Sequence, residues 1–514
     1  MFSKVYGATV YGIDGALITV EADVSDGLPS FSLVGYLSSE VREAKERVRV
    51  AIKNSGFFLQ VKKITINLSP ADRRKEGTGF DLPIAIAILI AYGFLPRKNF
   101  DNMVFAGELG LDGRINPVRG ILPILLAAKE AGKDCCIIPA DNLSEGEMLS
   151  GIKVFGVGSL KELAEVLAEE QWERLPRAAS RKAATVDDKR LPDFQEVIGQ
   201  SLVKRAVEIA VAGGHNLLMM GPPGTGKSMI AERIPSIMPE PGDEERMEIA
   251  RIYSVAGLLG KDNTAILKRP FRSPHHTITP TALAGGGRLP VPGEISLASH
   301  GVLFLDEFPE FDRRSLEVLR QPMEEKKVHV ARLEASYDYP ADFMLVAAMN
   351  PCPCGFYPDR NKCRCTQGMI RNYLGKISHP LLDRIDICVE AAAVSFDDLE
   401  TGHREESSLT MGKRVAAARK LQAKRFAGSV TRSNSAIRAG DMDKYCFISQ
   451  KDKAYMKDIF ERCNLSARAY HKILKVARTI ADLEGSEKIS RTHLQEAVCY
   501  RGPDEKYWKN QEEM

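Results

Sequence analysis

The run Gly221-Pro222-Pro223-Gly224-Thr225-Gly226-Lys227-Ser228 constrains this chain more than any other feature. It sits between the apolar stretch 216–220, which reads as a strand, and a segment from Lys227 onward that reads as a helix. Glycines in such a loop let backbone N–H groups wrap phosphates, and the helix N-terminus adds positive partial charge. The residue types then assign themselves. Gly221 to Gly226 cradle the phosphates, Lys227 reaches the β- and γ-phosphates, and Ser228 holds a magnesium ion. The competing reading is a glycine-rich turn that merely precedes a helix. Strand, loop and helix in this order imply a parallel sheet with helices on both faces.

A second apolar strand, 302–305, delivers two carboxylates, Asp306 and Glu307, to its end. Asp306 is expected to orient the magnesium shell, and Glu307 to polarise the attacking water as general base. A carboxylate pair after an apolar strand is common alone; downstream of a complete phosphate loop it forms a joint signal. The strand at 343–348 runs into Asn350.

These segments, in this order, resemble the AAA+ module. The stretch 193–200, with Val197 and Ile198, looks like its adenine side, and Asn350 looks like the polar sensor of the γ-phosphate. Leu381-Leu382-Asp383-Arg384-Ile385-Asp386 resembles the segment that offers an arginine finger to a neighbouring subunit. Ser466-Ala467-Arg468 resembles the start of the lid helix that carries a second sensor. The resemblance implies ATP and Mg2+ as cofactors. An arginine acting in trans requires a ring, and the resemblance implies a hexamer. A lone arginine is otherwise a solvated charge or an ion-pair partner.

Three further stretches narrow the resemblance. Arg272-Ser273-Pro274-His275-His276-Thr277, Gly285-Gly286-Gly287 and 292–298 look like an insert found in magnesium-chelatase-like and replicative-helicase-like modules. The stretch 326–337 resembles their extra β-hairpin, with Lys326, Lys327 and Arg332 as candidate contacts to a translocated strand. A solvated hairpin face is the alternative. His275 and His276 are read as loop or pore residues rather than metal ligands, since no carboxylate has helical spacing to them. The combination of an N-terminal domain, this chelatase-like core, Asn350-Pro351-Cys352-Pro353-Cys354-Gly355 and Leu381–Asp386 resembles the bacterial YifB/ComM family over nearly the whole chain. It implies a hexameric, DNA-binding ATPase that drives branch migration of recombination intermediates in natural transformation. The ATPase subunit of a metal chelatase and an ATP-dependent protease are the alternatives.

Between Asn350 and Arg384 lie Cys352-x-Cys354 and Cys363-x-Cys365, four thiols in one short loop. Four thiolates suit tetrahedral structural zinc and leave no position open for catalysis. Free thiols or a redox pair are the alternatives. Cys135 and Cys136 adjoin an apolar segment and read as core.

The expected organisation is α/β, in four parts. Residues 1–170 form a Lon-protease-like N-terminal domain, 171–190 a linker, 191–396 the P-loop core with its parallel sheet, and 397–514 a helical lid. The Lon resemblance rests on Lys75-Glu76-Gly77-Thr78-Gly79, Gly107–Gly113 and Gly120–Gly132. At the positions where that family uses a serine nucleophile and a lysine base, this chain has Gly79 and Leu122. A net charge of +3 gives no global signature of nucleic-acid binding, so any basic surface is local. The most apolar run, 82–92, is far below the ~18 residues that span a bilayer, and no signal peptide opens the chain. A cytoplasmic protein is expected.

Overall fold

The structure is a computed structural model of the chain. It describes residues 1–97, 100–179, 192–259, 268–287, 290–331, 336–392 and 405–508, the side chains of Asp504 and Glu505 excepted. Arg332, the boundary at 396 and most of the expected linker lie outside the described residues. Contacts divide the chain into two units: the described parts of Met1–Val186 with Asp243–Leu267, and those of Asp187–Gly242 with Lys268–Met514.

The first unit is built on a mixed seven-stranded sheet. Its strands are β1 (Phe2–Tyr11), β2 (Asp14–Ser25), β3 (Ser30–Val34), β4 (Lys63–Ser69), β5 (Met103–Phe105), β6 (Cys135–Pro139) and β7 (Lys153–Val157). They lie in the order β3-β4-β2-β1-β5-β6-β7. β1 and β2 form a hairpin in which Tyr11 pairs with Asp14, so Gly12 and Ile13 make the turn. Gly12 carries the positive φ of 62° that such a two-residue turn needs at its first position. The helix Asp81–Tyr92 is buried from Asp81 to Ala91, which explains an apolar run too short for a membrane. Its one carboxylate, Asp81, is neutralised by Arg47 through Nε at 2.7 Å and Nη2 at 2.9 Å. Cys135 and Cys136 are buried in β6, as their apolar setting predicts.

The helix Asp243–Ala256 also belongs to this unit. Ser254 is its anchor: its hydroxyl donates to buried Glu145 and accepts from the Leu122 N–H at 3.2 Å, and its carbonyl accepts from Gly120 N at 3.0 Å. Arg251 pairs with Asp14 at 2.9 Å. These residues fall within the expected core stretch 191–396. Nothing in their local pattern sets them apart; their packing does.

The second unit holds a parallel five-stranded sheet of β8 (Leu217–Met220), β9 (Phe271–Arg272), β10 (Val302–Leu305), β11 (Met344–Met349) and β12 (Ile387–Glu390). The order is β9-β10-β11-β8-β12, and every neighbouring pair is parallel. β8, β10 and β11 are buried at every residue, as a sheet covered on both faces requires. The helical C-terminal region includes Ser408–Arg425, Gln450–Arg462, Ala467–Leu483 and Arg491–Cys499. Serine caps each of these four helices, with Ser407, Ser449, Ser466 and Ser490 accepting from the first turn. No helix among the described residues is long and apolar enough to cross a membrane.

Candidate nucleotide site

Register brings the sequence-separated candidates together. β11 lies between β8 and β10, with Met220 level with Met349 and Leu305 level with Ala347. Gly221, Asp306 and Asn350 therefore leave the same C-terminal edge of the sheet. There the Ser228 hydroxyl donates to Asp306 Oδ2 at 2.6 Å, which joins the two expected magnesium ligands directly. Lys227 Nζ donates to the carbonyls of Gly221 at 2.9 Å and Pro222 at 2.8 Å, and lies 3.3 Å from both Thr225 Oγ1 and Asn350 Oδ1. Burial lowers the Lys227 pKa and Asp306 opposes the shift. A buried ammonium held by loop carbonyls has good reason to exchange them for phosphate oxygens.

Glu307 has left-handed backbone geometry, with φ 50°. Its N–H donates to Asp306 Oδ1 at 2.8 Å, and its carboxylate Oε2 lies 3.3 Å from His276 Nδ1. Sequence reasoning placed His276 in a loop and gave it no partner, because a contact across two strands has no local signal. In the segment 193–200 Val197 is buried while Ile198 is 39% exposed, so this short segment presents one apolar side chain outward. Gly199 N donates to Glu405 Oε1 at 2.7 Å, and Glu405 pairs with Lys204 at 2.6 Å. Asp193 Oδ1 accepts from Ser408 N at 2.8 Å. The start of the helical region is thus fastened to the segment 193–204, a role for Glu405 that its polar neighbourhood in the sequence concealed.

Arg384 and Arg468 do not join this cluster. Asp386 precedes β12 and accepts from Asn216 N at 3.1 Å, at the start of β8, while the phosphate loop leaves the end of β8. A four-residue strand separates these two edges by roughly 13 Å at ~3.3 Å per residue. Arg384, whose carbonyl accepts from Asn216 Nδ2 at 2.9 Å, is fixed at the far edge. Its guanidinium pairs with Glu324 at 2.6 Å and donates to the Arg320 carbonyl at 3.1 Å. Lys472 and Arg501 reach the adjacent carbonyl of Ile385 at 2.9 and 2.8 Å. Arg468 is exposed, one turn before Lys472 on the same helix.

The four loop thiols do come together. The sulfurs of Cys352, Cys354, Cys363 and Cys365 all lie within 4.8 Å of one another. Sulfur separations are 3.4 Å for Cys352–Cys354, 3.8 Å for Cys352–Cys363 and 3.6 Å for Cys354–Cys363. Zn–S bonds of ~2.3 Å in a tetrahedron give sulfur separations of about 3.8 Å, so the residues fit zinc. Tyr357 N donates to the Cys352 sulfur at 3.4 Å, the kind of outer contact that orients a thiolate ligand. The loop also touches the phosphate loop. A Cβ on Gly355, which has φ 85°, would fall 2.4 Å from Pro223 Cδ.

Of the expected pore contacts, Lys326 pairs with Asp342 at 3.2 Å, and Lys327 opens the hairpin formed by Lys327–Ala331 and Ser336–Pro340. In the first unit Gly79 has open space where a side chain would stand, and Leu122 is fully buried. Nearby Lys75 is fully buried as well, and its Nζ donates to the carbonyls of Pro70 and Arg73 rather than to a hydroxyl.

Comparison with known families agrees with this architecture. Family models for magnesium chelatase subunit ChlI match residues 193–399 and 20–142, and the ChlI C-terminal model matches 405–501. Competence protein ComM of Haemophilus influenzae is 41% identical over 502 residues, covering 97% of each chain. The Salmonella typhimurium protein YifB is 42% identical over 503 residues, again covering 97% of each chain. Lon protease of Mycolicibacterium smegmatis is 29% identical over 143 residues, 26% of this chain and 18% of that one. An AAA+ α/β core with a parallel sheet, a Lon-like N-terminal region and a helical C-terminal region match the sequence reading. The chain belongs to the YifB/ComM family of magnesium-chelatase-like AAA+ proteins.

Proposed function

We propose that this protein is an ATP-hydrolysing motor whose active sites are completed between neighbouring copies in a ring, and whose stroke acts on DNA. The observation that carries the ATPase reading is the Ser228–Asp306 contact of 2.6 Å beside Lys227 and Asn350, two residues from the two halves of a magnesium–nucleotide site already joined. Bound Mg–ATP supplies the phosphoryl group and its charge. The loop amides and Lys227 bind the phosphates, Ser228 and Asp306 hold the ion, Asn350 reads the γ-phosphate, and Glu307 takes the proton of the attacking water. Arg384 is held at the edge opposite its own phosphate loop, and Arg468 stands exposed on the helix that Lys472 ties to the segment before β12. They serve a neighbouring copy, which is why the reading requires a ring, a hexamer by family resemblance. Arg384 leaves Glu324 when it does so. The four cysteines hold structural zinc, which stiffens a loop packed against Pro223.

The DNA reading rests on the likeness to Competence protein ComM and on the insert and hairpin next to the site. Branch migration during recombination is the activity it implies. Steady-state ATPase and branch-migration assays on the wild type, Lys227→Ala and Glu307→Gln test it. Both variants are expected to lose turnover by about a hundredfold or more, with Glu307→Gln still binding ATP. Undiminished hydrolysis in both would remove the site; an ATPase indifferent to single-stranded and branched DNA would remove the DNA reading. Elemental analysis is expected to find one zinc per chain, and its absence from native protein would remove the metal.

A further inference from the structure

The helix Ser408–Arg425 carries a row of lysines along the side it turns away from the protein. Its inward face is set by Met411, Val415, Ala418 and Gln422, all buried. At about 100° per residue, Lys413, Lys420 and Lys424 fall within about 40° of one another on the opposite side. All three are exposed. A rise of ~1.5 Å per residue puts Lys420 about 10 Å beyond Lys413, and Lys424 about 6 Å further, in a straight line. Ala416, Ala417 and Ala423 stand exposed beside them and are too short to hold a partner away.

The cations of this helix divide by type. Its arginines are engaged within the protein. Arg414 meets Glu208 and donates to Glu406 at 2.8 Å, Arg419 donates to the Val211 carbonyl at 2.9 Å, and Arg425 donates to Asp482 at 2.7 Å. No carboxylate among the described residues pairs with Lys413, Lys420 or Lys424, and no Asp or Glu occurs in the chain from Ser408 to Gly440. The acids just before the helix are occupied, Glu405 by Lys204 and Glu406 by Arg414. Another exposed helix, Gln450–Arg462, mixes its signs instead: Lys457 lies 3.8 Å from Glu461, and Arg462 lies 2.8 Å from Asp458. The helix dipole favours a cation in the last turn, where Lys424 stands, but gives no reason for Lys413 or Lys420. Lys420 and Lys424 are four residues apart, a spacing at which like charges destabilise a helix until an anion lies over them.

The geometry also selects the anion. A duplex carries about one phosphate charge per ~1.7 Å of its axis, so a straight row about 16 Å long meets a phosphate at every ammonium. Single strands are held by stacking on aromatic rings, and this helix has none. Base edges are read by side chains such as arginine, asparagine and glutamine, whereas lysines between alanines make backbone contacts that ignore sequence. We propose that the lysine row of helix Ser408–Arg425 is a docking surface for the phosphate backbone of duplex DNA. The inference rests on the DNA-motor reading for the identity of the polymer, and it adds a contact apart from the insert and the hairpin.

The test is fluorescence anisotropy of a labelled duplex and a labelled single strand, titrated with the full chain at salt concentrations from about 50 to about 200 mM. The variants are Lys413→Gln/Lys420→Gln/Lys424→Gln, the same three positions changed to Arg, and a control with equal charge loss, Lys451→Gln/Lys453→Gln/Lys457→Gln. The first is expected to bind the duplex at least about tenfold more weakly at about 0.1 M salt. Its slope of log affinity against log salt should shrink by about 2 to 3, close to one for each phosphate contact removed. The arginine variant should keep affinity and slope, and the control should lose less than about a third as much. Single-strand affinity and the ATPase rate without DNA should stay within about twofold of wild type. A duplex slope unchanged in the glutamine variant overturns the proposal while leaving the DNA-motor reading in place, and an equal loss of single-strand affinity overturns the assignment to duplex. A glutamine variant that sediments without DNA as a smaller assembly than wild type gives this face to a neighbouring copy and overturns the proposal too. A wild type that binds neither polymer removes the DNA-motor reading and the docking surface together.

Discussion

Lys227 and Gly355 show how single residues set the chemistry here. Lys227 was identifiable from its motif because phosphate binding demands that residue at that place. Gly355 was not, since its partner Pro223 lies more than a hundred residues earlier and the reason for glycine is a close approach. Gly355→Ala has no room: the left-handed backbone costs about 1 kcal/mol for alanine, and the phosphate loop has to shift to admit the methyl group. Because small misplacements of binding groups are expensive in rate, kcat/KM for ATP is expected to fall about tenfold or more, with zinc content unchanged. ATPase kinetics with metal analysis check this. His215 gives a second test. It is fully buried, its Nε2 lies 2.8 Å from Thr479 Oγ1, and Asp386 is 3.7 Å from Nδ1. Burial pushes its pKa below the ordinary 6.5; Asp386 opposes this while Lys475 and Arg419 reinforce it. The folded state then keeps the imidazole neutral where the unfolded chain is protonated. The stability His215 contributes is present above pH 6.5 and is lost as pH falls through and below it. The gap in thermal midpoint between wild type and His215→Gln should accordingly narrow between about pH 8 and pH 5.5. A gap that widens on acidification would contradict the buried neutral histidine.

At the scale of elements, the helix Ala467–Leu483 and the segment before β12 behave as one piece. Lys472 donates to the Ile385 carbonyl and lies 3.4 Å from Asp386, while Arg501 secures the same carbonyl. The segments that carry Arg384 and Arg468 are thus joined by one largely buried ion pair. Removing one partner of such a tie costs about 3 kcal/mol, so Lys472→Met is expected to lower the thermal midpoint. Its kcat should fall several-fold while KM for ATP stays near wild type, because the groups that bind ATP leave the opposite edge of the sheet. Lys472→Arg should recover much of both. Calorimetry and ATPase kinetics check the pair of effects. This is also where the sequence was least informative. The apolar runs 216–220, 302–305 and 343–348, each leading into chemistry-bearing residues, are legible as strands, and the structure has them at 217–220, 302–305 and 344–349. The tie between Lys472 and Asp386, the Glu405 contact to Gly199 and the His276 contact to Glu307 depend on strand order and helix packing, which no local period encodes.

For the molecule as a whole, the sequence lays out an N-terminal region, a nucleotide core and a helical end, and no local pattern shows that one helix within the core stretch packs with the first unit. Helix Asp243–Ala256 joins the first unit through Ser254 and Glu145, a polar contact invisible to hydrophobic patterning. The largest claim at this scale is that no single chain holds a finished active site. Arg384 sits at the start of β12 and the phosphate loop at the end of β8, so one copy cannot bring them together without dismantling its sheet. Mixing two inactive variants measures this directly. Arg384→Ala keeps the phosphate-side groups and lacks the finger; Glu307→Gln keeps the finger and lacks the base. Each alone should hydrolyse ATP at a few per cent of wild type or less, about the loss expected for an arginine finger or a catalytic base. In an equal, randomly assembled mixture about one neighbouring pair in four joins an intact base to an intact finger, so the ATPase rate should recover to about a quarter of wild type. A mixture no more active than the two variants measured separately would contradict a site shared between copies.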